Sequence, residues 1–488
     1  MKWLQGAVVL VAAAHFLNML ANSMLFAKFA FGDNGWPLTT DALLDDGLNP
    51  VADFGYFYGL LTLVVDRAAF ALFGRTPNTV MGIYAICTLA VAIGMARTLS
   101  AVKMRLLPSL FLISCAALSA IPRGFPSPAH ALEAALLMTA LAEHAAGRLH
   151  RSLALAILAA FVKPSLGYVY GLILIGLILS EASRWKRLLP AAFIGAALLV
   201  ALTVRFGWEA VVRTQLPFDA MKAYEKANFG FCFGSGRPFW LPANPEFDYY
   251  FGGVAAVWLL SSAVLGITAL RLLPRFREPA ASLAIACAIL HFTFVFVLFG
   301  NEWSWIYYTY ILFVGTAVSL NHWPRWIGGL VATGLLAVSV CGQYEWLWRR
   351  DAWTRANTVR SLETAELPAA ADQATEWGQI RVMAAKYPER EKVLLLTRMG
   401  CPQLLAPELD GPHWWCLIQG FSRESELDRA RQQISKAEWI VLPDWHDNNL
   451  MDWPELKARE SFEEVALPFA ATGQTVPFKF FKLFRRKT

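Results

Sequence analysis

Charged residues are scarce in this chain. They make up 16% of its 488 residues, whereas 56% of the residues are hydrophobic; soluble globular proteins carry about 25% charged residues. Polar surface is therefore too limited to cover a water-soluble protein of this length. The mean hydropathy is +0.42, and the apolar residues occur in long runs, which indicates a membrane protein.

Several motifs of soluble-enzyme chemistry are also missing. The sequence has no Cys-x-x-Cys, no His-Glu-x-x-His, no Walker loop and no Rossmann glycine pattern. Neither a zinc site nor direct use of a cytosolic nucleotide is therefore predicted. The net charge of +6 does not indicate a nucleic-acid partner, because the basic residues lie in short clusters between apolar runs.

Only seven cysteines occur in the chain. Four of them lie in or beside apolar runs, where cysteine is a small core residue. Cys401 and Cys416 fall in a segment predicted to lie outside the cytoplasm, and an oxidising compartment there would permit a disulfide. Their spacing alone leaves the pairing open.

Eleven apolar runs are predicted to cross the membrane as helices. The stretch 150–182 is too long for one crossing, so we divide it at Lys163-Pro164 into two spans joined by a tight turn. The first run is interpreted as a retained span rather than a cleaved signal peptide, because it is long and no convincing cleavage site follows it. The predicted spans are 4–29, 77–99, 107–122, 129–147, 150–163, 165–182, 188–206, 253–272, 281–300, 304–320 and 325–342.

Lysine and arginine set the predicted orientation, because they are enriched in cytoplasmic loops. The pattern places the N-terminus in the cytoplasm and everything after about 343 on the outer side. Arg75, Arg123 and Lys163 fall on the outer side against the pattern, and such charges at a membrane boundary need an explanation. The residues that set the orientation are Lys2, Arg97, Lys103, Arg105, Arg148, Arg151, Arg184, Lys186, Arg187, Arg271, Arg275, Arg277 and Arg325.

The composition changes after Gly342, where charges become frequent and apolar runs shorten. The predicted fold is therefore a polytopic α-helical membrane domain, 1–342, followed by a small extracytoplasmic α/β domain, 343–488. The strands of the second domain are predicted at 392–397, 438–443, 462–469 and 478–484, and its helices at 365–387 and 423–436.

The first outer loop, 30–76, is acidic. Between Gly32 and Tyr56 it has no lysine or arginine, and its aspartates are Asp33, Asp41, Asp45, Asp46 and Asp53. A carboxylate at the membrane boundary can act as a general base, because partial burial raises its pKa. Composition alone favours a different interpretation, in which the aspartates belong to a solvated loop and cap helices. The apolar segment 60–73 contains Asp66 and Arg67 and is predicted to lie along the membrane surface.

Six residues of this loop form a longer motif, Gly-x-x-Pro-x-x-Asp-Phe-x-x-x-Tyr-Gly, made of Gly47, Pro50, Asp53, Phe54, Tyr58 and Gly59. The motif resembles the first outer loop of the GT-C superfamily, the multispanning glycosyltransferases that use polyprenyl-phosphate sugars. Protein O-mannosyltransferases and lipid A aminoarabinose transferases belong to that superfamily. Its members often have a proline after Tyr-Gly, where this chain has Leu60.

The resemblance implies a GT-C-like fold of about eleven transmembrane helices and a catalytic base in the first loop. It assigns that role to Asp53, with Asp41, Asp45 and Asp46 as neighbouring alternatives. Two weaker similarities accompany it. Lys163-Pro-Ser-Leu-Gly167 resembles a turn between middle spans, and Ser127-Pro-Ala-His-Ala-Leu-Glu133 resembles the start of the fourth span.

A lipid-phosphate donor needs cations at the membrane boundary, because lysine and arginine form charge-assisted hydrogen bonds to phosphate oxygens. Arg123, Lys163 and Arg237 are candidates on the outer side, and each also suits a snorkelling residue at a helix end. Arg237 lies in the second large outer loop, 207–252, which is rich in glycine and aromatic residues. The other substrate-binding candidates are Tyr56, Tyr58, His130 and Glu302.

Together with the predicted topology, the resemblance to the GT-C superfamily implies a glycosyltransferase of the bacterial inner membrane, with a cytoplasmic N-terminus and a periplasmic C-terminal domain. Its donor would be a polyprenyl-phosphate-linked sugar, its acceptor a lipid, glycan or protein, and its mechanism inverting. Membrane lipid is a partner and nucleic acid is not. No metal-binding motif stands out, although the acidic loop offers oxygen ligands of the kind that Mg²⁺ prefers. The alternatives are a lipid-linked-sugar flippase or transporter, an O-antigen-type polysaccharide polymerase, and a non-enzymatic scaffold.

Overall fold

The structure is a computed structural model. Apart from a few single positions, it describes residues 36–119, 128–180, 185–216, 245–295, 305–339, 392–396, 422–443, 450–464, 469–470, 475–476 and 481–487. The chain divides into two compact units. Unit 1 contains Met1–Ala21, Tyr58–Val64 and Gly82–Trp353, and unit 2 contains Asn22–Phe57, Val65–Met81 and Thr354–Thr488. Most of the first outer loop thus groups with the residues after 354, although the sequence assigned that loop to the membrane domain.

Helices dominate the described residues before position 340, and four of these helices begin at a proline, whose fixed φ suits the first turn of a helix. In chain order they are α1 (Trp36–Asp45), α2 (Leu60–Phe73), α3 (Pro77–Ala101), α4 (Leu106–Ser119), α5 (Pro128–Ala145), α6 (Leu149–Val162), α7 (Leu166–Leu179), α8 (Leu189–Phe206), α9 (Trp208–Gln215), α10 (Pro245–Leu272), α11 (Pro279–Thr293), α12 (Trp305–Asn321) and α13 (Arg325–Ser339).

Each predicted span from residue 77 onward coincides with one of these helices. The division at Lys163-Pro164 is confirmed, because α6 ends at Val162 and α7 begins at Leu166. Lys163 has an extended backbone, with φ −150° and ψ 118°, as a residue before proline favours. The first predicted span, 4–29, lies outside the described residues except at single positions.

Three helical segments within the described residues are long and apolar enough to cross a membrane: Gly82–Ala101, Trp185–Phe206 and Val257–Arg275. Five further apolar helices are shorter, at 10–17 residues. The count of eleven crossings therefore stays a prediction.

Basic residues of separate loops meet at one end of the helices of unit 1. Arg97 lies near the end of α3, and Arg148 lies directly before α6. Both residues form ion pairs with Glu143, near the end of α5. The Arg105 guanidinium donates to the carbonyl oxygen of Trp323 at 2.9 Å. These loops were predicted on the same side from charge alone, and the structure brings them together. His130, near the start of α5, lies about 20 Å from this end, at a rise of about 1.5 Å per residue.

The interior of unit 1 is mostly apolar, and one of its buried polar groups is a hydrogen-bonded histidine. His144 of α5 is fully buried; its Nδ1 lies 2.9 Å from the Tyr170 hydroxyl and its Nε2 lies 2.8 Å from the Ser282 hydroxyl. This network joins α5, α7 and α11. Buried polar groups must be hydrogen-bonded to be tolerated, so the network favours one arrangement of these helices over shifted ones.

Unit 2 contains a four-stranded sheet in the order β1-β2-β6-β3, in which β1 and β2 are parallel and the other pairs are antiparallel. The predicted strands near 392, 438, 462 and 478 and the predicted helix at 423–436 are confirmed, whereas 365–387 lies outside the described residues. The elements are β1 (Val393–Leu395), α14 (Glu424–Lys436), β2 (Trp439–Pro443), α15 (Ala458–Ser461), β3 (Phe462–Glu464), β4 (Phe469–Ala470), β5 (Thr475–Val476) and β6 (Phe481–Arg486).

Helix α14 covers this sheet with one apolar side. Leu427, Ala430 and Ile434 recur at the spacing of a helix face, and they share one core with Ile440 of β2 and Phe484 of β6. The opposite side of the helix is rich in charged residues. The amphipathic pattern thus fixes which side chains of α14 point away from the sheet.

Candidate functional site

Asp53 lies in a tightly hydrogen-bonded turn of unit 2. Its backbone nitrogen donates to the Asn49 carbonyl oxygen at 2.9 Å, and its carboxylate Oδ2 accepts from the Asn49 backbone nitrogen at 2.7 Å. The Val51 nitrogen donates to the carbonyl oxygen of Phe54 at 2.8 Å. Asp53 is half-buried, so its carboxylate combines a fixed orientation with access to solvent.

Val51 adopts a left-handed backbone conformation in this turn, with φ 75°. That region is unfavourable for a β-branched residue, and such strain persists only where the surroundings hold it. Residues in strained conformations concentrate at functional sites. The turn around Asp53 thus differs from an ordinary solvated loop.

Asp41 and Asp45, on α1, face two guanidinium groups. Arg75 lies 2.6 Å from an oxygen of Asp41 and also pairs with Asp45. Arg67 of α2 lies 2.7 Å from Asp45 and 3.6 Å from Asp41. These ion pairs give Arg75 a structural role at the position where its predicted outer-side location runs against the positive-inside pattern. They stabilise unit 2 and occupy the oxygens that a base or a metal ligand would use.

Asp66, also on α2, is an acid of different character. It is buried, and burial raises the pKa of its carboxyl from 3.8 to about 8, with the negative charge of Asp41 acting in the same direction. At neutral pH Asp66 is therefore mostly protonated and uncharged. Asp66 thus has the raised pKa that the sequence predicts for a partly buried carboxylate of the first outer loop.

Lys163 belongs to a buried polar cluster in unit 1. Its Nζ lies 2.9 Å from Nδ1 of His130 and 3.9 Å from Oε2 of Glu133, and the Ser165 hydroxyl donates to Oε1 of Glu133 at 2.6 Å. An ammonium group has donors only, so Nδ1 of His130 accepts and the ring proton lies on Nε2. Glu133 is fully buried. Its carboxylate gives Lys163 a partner and thus explains a second basic residue that runs against the predicted charge pattern.

Tyr58 joins this cluster through its ring. The Tyr58 and His130 rings meet edge to face with centroids 5.7 Å apart. The next residue, Gly59, donates its backbone N–H to the carbonyl oxygen of Val162 at 2.9 Å. A Cβ on Gly59 would overlap the carbonyl of Phe161, so only glycine permits this approach. The Tyr-Gly pair therefore contacts the end of α6, directly before the Lys-Pro turn.

The predicted site residues thus fall into two groups. Asp41, Asp46, Asp53 and Tyr56 belong to unit 2, where Asp46 is exposed and Tyr56 is buried with its ring edge to face with that of Phe54. Tyr58, His130 and Lys163 belong to unit 1, where the structure brings them together. Arg123, Arg237 and Glu302 lie outside the described residues, as do Cys401 and Cys416.

Sequence reasoning missed three partners of these residues. Glu133 follows His130 by three positions, which places both on one side of a helix, and that spacing was the available signal. Arg67 and Arg75 stand out as charges in the sequence, but nothing in the sequence shows that they pair with the aspartates of α1.

Across the ranges that the structure describes, no group of three or more histidine, cysteine, aspartate or glutamate side chains is arranged to hold a metal ion. The pairing of Asp41 and Asp45 with arginines does not fit a divalent cation at those two residues. A cation elsewhere in the acidic loop stays an untested prediction.

Comparison with known proteins identifies the fold. No protein-family model and no curated protein sequence matches this chain. The chain is similar to a crystal structure of ArnT from Cupriavidus metallidurans bound to undecaprenyl phosphate, with 15% sequence identity and a TM-score of 0.52. The match covers 98% of this chain and 98% of that chain. The chain has the GT-C fold.

The resemblance inferred from the first outer loop is thereby confirmed at the level of the fold. The GT-C fold and the apolar helices are those of a membrane protein.

Proposed function

We propose that this chain is a glycosyltransferase that moves a sugar from a polyprenyl-phosphate-linked donor to an acceptor on the outer face of the bacterial inner membrane. The observation that carries the proposal is the fold shared over 98% of the chain with ArnT, whose crystal structure contains undecaprenyl phosphate. The chain supplies the two kinds of group that this reaction needs, a carboxylate in the first loop and a cation at a turn between helices.

Asp53 is the proposed general base. Its carboxylate takes the proton of an acceptor hydroxyl or amine, and the oxygen or nitrogen of that group attacks the anomeric carbon of the donor. The bond from the anomeric carbon to the phosphate oxygen breaks, the polyprenyl phosphate leaves with the electron pair, and the configuration inverts. The half-buried position of Asp53 and the hydrogen bond from the Asn49 nitrogen at 2.7 Å support this role, because a general base must be held in place.

Lys163 is the proposed cation for the donor phosphate, because an ammonium forms charge-assisted hydrogen bonds to phosphate oxygens. Its neighbours support the role: His130 at 2.9 Å is a neutral acceptor in this arrangement, and the carboxylate of Glu133 is at the longer distance of 3.9 Å. The remaining predicted ligands of the donor are Tyr56, Tyr58, Arg123, Arg237 and Glu302. No step is assigned to a divalent cation.

The test is transfer of labelled sugar by the purified protein in proteoliposomes. The donors are undecaprenyl-phosphate-linked mannose and aminoarabinose, and the acceptors are extracts of membrane lipid, glycan and protein. Wild type should transfer label to one acceptor, and Asp53→Asn should reduce the rate by at least about 100-fold, the lower range of general-base contributions. Asp452→Asn is the matched control, because Asp452 is an exposed aspartate of unit 2 paired with Arg459 at 3.2 Å.

Full transfer by a correctly folded Asp53→Asn protein would contradict the assignment of the base. Movement of the lipid-linked sugar across the bilayer without transfer would favour the flippase alternative. Extension of a lipid-linked glycan by whole repeat units would favour the polymerase.

The proposed topology has its own test. A cysteine introduced next to Asp53 should react with a membrane-impermeant reagent added from outside intact spheroplasts, and one next to Lys103 should not. The reverse result would overturn the orientation with the N-terminus in the cytoplasm and the C-terminal domain in the periplasm.

A further inference from the structure

Helix α14 binds the backbone on either side of Phe54. The Ser425 hydroxyl donates to the carbonyl oxygen of Asp53 at 2.7 Å, and the Arg429 guanidinium donates to the same oxygen at 2.9 Å. The Glu426 carboxylate accepts from the backbone nitrogen of Gly55 at 2.9 Å. Two successive peptide groups of the first outer loop are therefore held by side chains that follow them by more than 370 positions.

The positions of these side chains follow from the helix. Ser425 and Arg429 are four residues apart, so they lie one above the other on the same side and reach the same oxygen. Glu426 is fully buried, and its carboxylate also accepts from the Arg423 backbone nitrogen at 3.0 Å. A carboxylate in the first turn is stabilised by the helix dipole. The apolar side of α14 is fixed on the sheet, so these polar side chains project from a rigid element.

The contacts bear on the orientation of one carboxylate. The Asp53 carbonyl belongs to the same residue as the proposed base, so fixing that carbonyl fixes the backbone torsion angles that aim the side chain. The turn contains Val51 in a left-handed conformation, and an unfavourable conformation of this kind needs external restraint. Ser425 and Arg429 supply part of that restraint.

We propose that Ser425 and Arg429 are positioning residues for Asp53, and that helix α14 thereby takes part in catalysis without contacting the reacting atoms. This inference rests on the proposed function of Asp53 as general base. A catalytic group displaced by about 1 Å can lose up to about 100-fold in rate. Loss of both restraints should therefore lower kcat by about 10- to 100-fold, with little change in the KM for donor or acceptor.

The test compares the double variant Ser425→Ala/Arg429→Gln with wild type. The control is Ser435→Ala/Arg431→Gln on the same helix, whose side chains bond within the C-terminal region, to Gln432 and to Glu424, Asp428 and Glu455. Single variants Ser425→Thr and Arg429→Lys, which each keep a donor, should recover part of kcat. If the double variant does not fold, these single variants are compared with wild type in its place.

Hydrogen exchange of residues 49–57 gives a readout that does not depend on activity. The double variant should exchange faster there than wild type and the control. In an Asp53→Asn background, the transfer that remains should be unaffected by Ser425→Ala/Arg429→Gln, because the two residues act only through Asp53.

The outcomes separate this inference from the proposed function. Unchanged exchange in the double variant overturns the restraint, and faster exchange with unchanged kcat overturns the positioning role, even if Asp53→Asn is inactive. An equal loss of kcat in the wild-type and Asp53→Asn backgrounds shows a structural role and also overturns it. If Asp53→Asn keeps full transfer, the proposed base is wrong and the positioning role falls with it.

Discussion

Nζ of Lys163 lies 2.9 Å from Nδ1 of His130, although 33 positions separate the two residues. The contact joins the Lys-Pro turn between α6 and α7 to the first turn of α5. It needs a neutral histidine with its proton on Nε2, because the ammonium can only donate. The positive charge of Lys163 is thus held in the interior by a neutral ring and by the carboxylate of Glu133.

Removal of the Lys163 charge should destabilise the fold. Lys163→Met leaves the fully buried Glu133 without its cation, and loss of one partner of a buried ion pair costs about 3–5 kcal/mol. The double variant Lys163→Met/Glu133→Gln leaves no unpaired charge and should recover most of that loss. Denaturant unfolding in detergent measures the difference, and equal stability of the single and double variants would contradict the buried pair.

Gly167 should be intolerant of a side chain. A Cβ at Gly167 of α7 would overlap the backbone of Ala160 in α6, whereas a Cβ at Gly176 of the same helix would meet nothing within 4 Å. Gly167→Ala should therefore cost at least about 1–3 kcal/mol through overpacking. Gly176→Ala, the matched control, should be neutral or stabilising by up to about 1 kcal/mol, because alanine favours a helix more than glycine does. The melting temperature of Gly167→Ala should therefore be lower than that of Gly176→Ala.

Arg75 should stabilise the acidic loop. Its removal in Arg75→Gln leaves the buried Asp41 with only the more distant contact to Arg67, at 3.6 Å. A buried acceptor that loses its partner costs about 1–3 kcal/mol. Adding Asp41→Asn should recover part of this loss. Asp41→Asn alone should lower the free energy of unfolding by more than it raises the activation free energy calculated from kcat. A loss of kcat in Asp41→Asn as large as that in Asp53→Asn would instead support Asp41 as the base.

Asp66 should make stability depend on pH. Its pKa is about 8 in the folded protein, against an ordinary value of 3.8 for an aspartate carboxyl, so folding favours the protonated acid. This contribution to the free energy of unfolding is fully present below about pH 4 and is lost as the pH rises to about 8. Asp66→Asn should therefore lose less stability than wild type between pH 4 and pH 8.

Unfolding curves at several pH values measure this effect. Asp428→Asn is the control, because Asp428 is an exposed aspartate on α14 paired with Arg431. A pH dependence of wild type that persists unchanged in Asp66→Asn would show that other groups cause it.

Most of the helical architecture was predictable from the sequence. Apolar runs marked the helices, and Lys163-Pro164 marked the break between α6 and α7, because proline restricts the residue before it. The strands near 438 and 478 were predictable from short β-branched and aromatic runs. The grouping of the first outer loop with the residues after 354 was not, because it depends on contacts such as Gly55 to Glu426 between segments far apart in the chain.

The candidate site was predictable in its motifs and not in its partners. Asp53, Tyr58 and Lys163 carry local patterns that resemble the GT-C superfamily. Glu133 ends a motif that resembles the start of a span, but that motif does not show that Glu133 faces Lys163. Arg429 carries no pattern that links it to Asp53, since a single arginine on an amphipathic helix resembles many others. Only the fold shows that one faces Lys163 and the other holds the carbonyl of Asp53.

The hydrogen bonds from α14 to Asp53 also set an order of events during synthesis. Ser425 and Arg429 follow Asp53 by 372 and 376 positions, and unit 1 ends at Trp353, so the ribosome completes all of the helices of unit 1 before either side chain exists. A nascent chain halted before α14 would carry the acidic turn without its restraints. Asp53 would therefore acquire its final backbone restraints only after α14 has been made.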